Sequence, residues 1–166
     1  MKFQIFFTKR DAFISNAISF FTQSPVSHVG IRYGDKIWEA RGDKGKSKVM
    51  SGSWSEMLND SDLTGVCVAD LDVYSVQEAL NWLNSKVDTP YDFFNTGVLQ
   101  PFKLIFGRLV GQKKHSVADN KYQCAELGAD FVKLKTRQTF KITKPIAGYS
   151  PAILFDIFQA KRVFSK

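Results

Sequence analysis

Apolar positions along the chain fall into short blocks with two different periods. Residues 3–8, FQIFFT, run almost continuously apolar, as a strand covered on both faces does. Ile14, Ala17, Ile18 and Phe21 recur at i, i+3, i+4 and i+7, which predicts an amphipathic helix closed by Pro25. In SHVGIRYGDKIWEA, two β-rich pieces flank Gly34-Asp35, a two-residue hairpin signal. Residues 41–53, RGDKGKSKVMSGS, read as an exposed loop. Residues 66–73 read as another strand. Ser75, with Glu78 three residues on, forms a capping-box signature for a helix reaching about Lys86 and ended by Thr89-Pro90-Tyr91.

The second half is less regular. The stretch 93–111 is apolar but follows neither period, and it leads into the polar loop GQKKHSVADNK. Asp119 or Asn120 in that loop can cap a helix over YQCAELGADFVKL. Residues 139–142 predict a short strand. Ser150-Pro151 supplies a cap and a first-turn proline for a last helix ending at Lys161 and Arg162. No repeat or linker interrupts this sequence of elements, so one domain of α+β class over residues 1–166 is expected.

Composition narrows the classes. A chain of 166 residues, 44% hydrophobic with 15 Phe, has ample material for a core, which excludes disorder, collagen and a disulfide mini-scaffold. The net charge of +7 favours anionic surroundings, an anionic polymer or a membrane surface, without choosing between them. The lysines are scattered over several loops and match no nucleic-acid motif, so no specific nucleic-acid partner is expected. Two cysteines, Cys67 and Cys124, are too few for a zinc site or a disulfide framework and point to a reducing compartment. Lys9, Arg10 and Asp11 interrupt the N-terminal apolar run before it reaches signal-peptide length. Residues 98–110, broken by Gln100, Pro101, Lys103, Gly107 and Arg108, fall short of the roughly 20 apolar residues of a membrane span. A cytoplasmic protein is the expectation.

Candidate chemistry comes from the hairpin and from one cysteine. A two-residue turn at Gly34-Asp35 pairs Tyr33 with Lys36, Ile31 with Trp38, Gly30 with Glu39 and His28 with Arg41. His28, Gly30, Ile37, Glu39 and Arg41 then share one face, with Val29, Ile31, Trp38 and Ala40 on the other. His28 and Glu39 become diagonal neighbours, and the missing side chain of Gly30 leaves room for the carboxylate to reach the imidazole. Cys124 follows a polar loop and falls in the first turn of its helix, where backbone N–H groups and the helix dipole favour a thiolate. Leu127, Gly128 and Phe131 continue the same inward face. Nucleophile, base and orienter can thus be assembled from Cys124, His28 and Glu39, with the Cys124 N–H as an oxyanion donor. Most helical cysteines are plain buried hydrophobes, and Cys67, flanked by Val66 and Val68, reads as inert core. His115 lies in a basic loop and reads as exposed, and Tyr91 can equally be a packing residue at a helix end.

Five segments, FFTQSPVSHVGI, WEA, VDTPYDF, YQCAELGADF and YSPAILFDI, occur in an order that resembles the permuted papain-like cysteine hydrolases of the YaeF/YiiX type, relatives of the NlpC cell-wall peptidases. The histidine strand precedes the cysteine helix, as in that permuted group and in the similar lecithin:retinol acyltransferase-like enzymes. The resemblance implies a circularly permuted papain-like (NlpC-like) fold, an antiparallel sheet packed against helices. It further implies Cys124 as nucleophile, His28 as general base and acid, Glu39 as the polar third member, and Tyr91 as a substrate- or oxyanion-positioning residue. The implied activity is cleavage of an amide in a peptide, for instance a cell-wall peptide, through a thioacyl intermediate and without metal or cofactor. A lipid-directed acyltransferase or thioesterase is the alternative, motivated by the apolar stretch 93–110 with Lys103 and Arg108.

Overall fold

In a computed structural model, residues 1–11, 24–42, 48–91, 121–138 and 149–165 are described. The helix expected around residues 14–21, the stretch 93–111, the strand 139–142, His115, Asp119 and Asn120 lie outside them.

The apolar run at the N-terminus forms β1 (Phe3–Arg10), which is buried at Phe3, Ile5, Phe6, Phe7 and Thr8 and lies inside a six-stranded sheet. Such a run needs cover on both faces, and it has it. The other strands are β2 (His28–Tyr33), β3 (Lys36–Arg41), β4 (Lys48–Ser53), β5 (Leu63–Leu71) and β6 (Lys161–Ser165). Their order is β4-β3-β2-β1-β5-β6, with every neighbouring pair antiparallel. Helices α1 (Trp54–Leu58), α2 (Val76–Lys86), α3 (Cys124–Lys135) and α4 (Pro151–Phe158) complete the α+β architecture.

The sheet separates two cores. On one face Phe3, Ile5, Phe7, Val29, Ile31 and Trp38 pack against Ala79 and Leu83 of α2, against Ala125, Ala129 and Phe131 of α3, and against Leu154 of α4. On the other, Phe6 and Ile37 pack with Trp54 and Met57 of α1 and with Leu63 and Val66. Fully buried side chains of this size each contribute about 1.5–3 kcal/mol by leaving water, which is what clamps α3 onto β2 and β3. Among the described residues no helix is long and apolar enough to cross a membrane.

Several boundaries differ from expectation for identifiable reasons. Residues 48–53 are not loop but the edge strand β4. Only Val49 among them is buried, and the ladder to β3 together with Val49 N–H to Thr89 O (2.8 Å) and Asp88 N–H to Val49 O (2.9 Å) fixes the strand without an apolar pattern. Ser53 then caps the short α1. The last helix stops at Phe158 because Gln159 turns left-handed at φ 46°, and Lys161 and Arg162 begin β6 instead of closing the helix. The Ser75 cap is as expected, its Oγ accepting from Glu78 N–H at 3.4 Å.

Candidate active site

The β2–β3 hairpin has the expected register: Tyr33 opposes Lys36, Ile31 opposes Trp38 and Gly30 opposes Glu39. Gly34 takes φ +63° in the turn, a conformation that strains other residues. His28 Nε2 and Glu39 Oε2 stand 2.8 Å apart. Gly30, opposite Glu39, is also required for close packing. A Cβ there would come within 2.4 Å of Phe6 Cζ and 2.8 Å of the Trp38 carbonyl, so the space above the glycine is filled by the Phe6 ring.

Glu39 is only 5% exposed, and Arg41 Nη1 meets its other oxygen, Oε1, at 3.4 Å. Burial pushes the carboxyl upward, but the hydrogen bond and charge of His28 and the guanidinium groups of Arg41 and Arg10 outweigh it, leaving Glu39 below the ordinary carboxylate range. Arg41 and Arg10 were not singled out in the sequence. Arg41 follows Glu39 by two residues on one strand, so its shared face was readable.

Cys124 is the first residue of α3, and Gln123 stands at its N-cap. Gln123 N–H donates to Glu126 Oε2 at 2.9 Å, and Tyr122 N–H donates to the Pro90 carbonyl at 3.0 Å, so the start of the helix is held from both sides. At this position the Cys124 N–H has no intrahelical acceptor. Cys124 is buried, and it reaches the imidazole from the core side of the sheet. Burial disfavours the charged form of His28. The negative charge of the Cys124 sulfur and its hydrogen bond to the ring, helped by Glu39, more than offset that and push the imidazole up to about 9. Because Nε2 is committed to Glu39, Nδ1 is the nitrogen left for the sulfur.

Cys124, His28 and Glu39 are therefore brought together. Tyr91 pairs with Tyr122, two residues before Cys124, and packs with Trp82 and Tyr122 against Ala40, Val49 and Leu127. It lies beside the helix start. The hydroxyl of Tyr122 bonds to Asp130 two turns down α3, and burial together with Asp130 raises its pKa far above the usual phenol range. Among the described residues no group of three or more His, Cys, Asp or Glu is placed to hold a metal ion. No family model, no curated protein and no solved structure matches the chain.

Proposed function

We propose that this protein is a cysteine hydrolase of the permuted papain-like type, acting on an amide bond of a peptide or acyl-amide substrate. The observation that carries the reading is the continuous connection from Glu39 through His28 to Cys124. A protonated imidazole beside a sulfur favours the thiolate, which is the nucleophilic form. The Cys124 thiolate adds to the carbonyl carbon, and the helix N-terminus, with the Cys124 N–H, faces the oxygen that becomes negative. His28 gives its proton to the leaving amine as the C–N bond breaks, leaving a thioester on Cys124. The neutral imidazole then takes a proton from water, whose oxygen attacks the thioester and releases the acid and the thiolate. Glu39 keeps the ring oriented through both proton transfers. The order of the histidine strand before the cysteine helix, on an antiparallel sheet, supports the permuted fold.

The lipid-directed alternative drew on residues 93–110, which lie outside the described residues, and no described feature favours it. The test is hydrolysis of a panel of peptide and acyl-amide substrates by the wild type and by Cys124→Ala, with mass spectrometry of an acyl adduct on Cys124. Turnover that survives in Cys124→Ala would sink the proposal.

A further inference from the structure

Gln4 of β1 and Arg32 of β2 oppose each other, two residues along from the Phe6–Gly30 pair and so on the face that α1 covers. The Arg32 guanidinium lies over the Trp54 ring, 4.1 Å from its centre. Its Nε donates to the Gly34 carbonyl at 2.7 Å and its Nη1 to Gln4 Oε1 at 3.1 Å. Gln4 is fixed in turn, its Nε2 donating to Asp70 Oδ1 at 2.8 Å. Two acids stand in this neighbourhood, and both are engaged elsewhere. Asp35 accepts from Ser53 Oγ at 2.7 Å and from Ser55 N–H at 3.0 Å, while Asp70 takes Gln4 and Lys2. Among the described residues no carboxylate forms an ion pair with Arg32. This oriented cation lines a cavity of about 250 Å3 together with Gln4, Trp54, Leu58, Val68 and Val163.

We propose that this cavity binds a small carboxylic acid with an apolar side chain, the carboxylate on Arg32 and the hydrocarbon against Leu58, Val68 and Val163. A guanidinium carries five N–H groups in one plane, and only two of them have acceptors here. Stacking on Trp54 uses a face of that plane and leaves its edge free for the two parallel N–H to oxygen bonds that a carboxylate accepts. The contacts to Gly34, Gln4 and Trp54 hold the group in place before any ligand arrives, so little side-chain freedom is lost on binding. Four of the six lining residues are apolar, which favours an acid with a hydrocarbon part over a bare inorganic anion. The volume lies below the roughly 300 Å3 at which drug-sized sites begin, so the ligand is of amino-acid size. The cavity lies across the sheet from α3, and the inference stands apart from the hydrolase reading.

The experiment is an NMR titration of the full chain with N-acetyl-L-leucine, read at the indole N–H of Trp54, with N-acetyl-L-leucinamide, acetate and inorganic phosphate run in parallel. The acid should shift that resonance saturably with a Kd on the order of 1 mM, and the neutral amide should bind at least about tenfold more weakly. Acetate, which keeps the carboxylate without the hydrocarbon, and phosphate should both be weaker than the acid. Arg32→Met, whose thioether can still lie on the Trp54 ring, should weaken the acid about tenfold and abolish its advantage over the amide. Leu58→Ser should weaken the acid severalfold and leave acetate unchanged. No saturable shift up to about 50 mM, equal affinity for acid and amide, or phosphate binding as tightly as the acid overturns the proposal. If Arg32→Met does not fold, Leu58→Ser decides: acid and acetate weakened alike, or neither, overturns the proposal. Cys124→Ala should bind the acid as the wild type does, so a failure of the hydrolase reading leaves this site standing.

Discussion

Cys67 and Cys124 carry the same thiol and lie against the same apolar core, but their surroundings differ in kind. Cys67 sits within β5 between Phe7 of β1 and Arg162 of β6, in a ladder that satisfies its backbone on both sides. Its environment is mainly apolar, and burial pushes the thiol up from its ordinary value, with Arg162 only partly opposing. Cys124 stands at a helix start with a free N–H direction, and a histidine reaches it whose other nitrogen is held by a buried carboxylate. The strand supplies a neutral thiol with nothing to move its proton. The helix start supplies a dipole, a neighbouring imidazole and a fixed orientation, so the two thiols differ by position and not by residue type.

The sharpest way to break this comparison is to remove each sulfur in turn. Cys124→Ala is expected to lower amide hydrolysis by at least about a thousandfold, whereas Cys67→Ala should stay within about twofold of the wild type. Steady-state rates on one substrate, with thermal melts confirming that both variants fold, check the pair. Equal losses would erase the distinction. The next largest effect falls on reactivity. His28→Ala should slow iodoacetamide alkylation of Cys124 at pH 7 by roughly 10- to 100-fold while leaving Cys67 unchanged, because only Cys124 has an imidazole beside it. Peptide mapping of the labelled protein separates the two sites.

A smaller effect separates orientation from proton transfer. Glu39→Gln keeps an acceptor for the imidazole but removes its negative charge. The His28 midpoint should fall from about 9 by about one pH unit, while Cys124 alkylation at pH 7 should change by less than in His28→Ala. An imidazole NMR titration gives the first number directly. A His28 midpoint that does not move would mean the sulfur alone sets its charge.

How far this contrast was readable in the sequence depended on the range of the interactions behind it. The His28–Glu39 pairing was legible because a two-residue turn at Gly34-Asp35 fixes register locally, and register decides faces. The place of Cys124 in the first turn of its helix was legible from the change from polar loop to inward-facing spacing. Its docking beside His28 was suggested by the triad chemistry and by the resemblance, not by any local pattern, since it joins residues almost a hundred positions apart. The edge strands β4 and β6 were missed because edges are held by backbone ladders and carry lysine, arginine, serine and glycine, which read as loop or helix end.

The groups around the two thiols also tie stability to pH in different ways. His28 rises from 6.5 free to about 9 in the folded protein, so folding binds its proton more tightly. That contribution is fully present below about pH 6.5 and is lost as the pH rises through about 9. Glu39 is lowered from 4.5, so its contribution is present above about pH 4.5 and is lost as the pH falls through its folded value. The melting temperature of the wild type minus that of His28→Ala should therefore be largest between these limits, near pH 5.5, and should shrink by about 5 °C on going to pH 9.5. Cys67→Ala should track the wild type below about pH 7.5, because the Cys67 thiol is neutral there in both folded and unfolded chains. Above pH 9 it should diverge in its own direction: the unfolded chain ionises a thiol that burial keeps neutral in the fold, so Cys67 costs the wild type stability there and its removal helps. A difference between wild type and His28→Ala that stays flat from pH 5.5 to 9.5 would show that the imidazole is not held charged, and the contrast between the two thiols would then rest on the helix start alone.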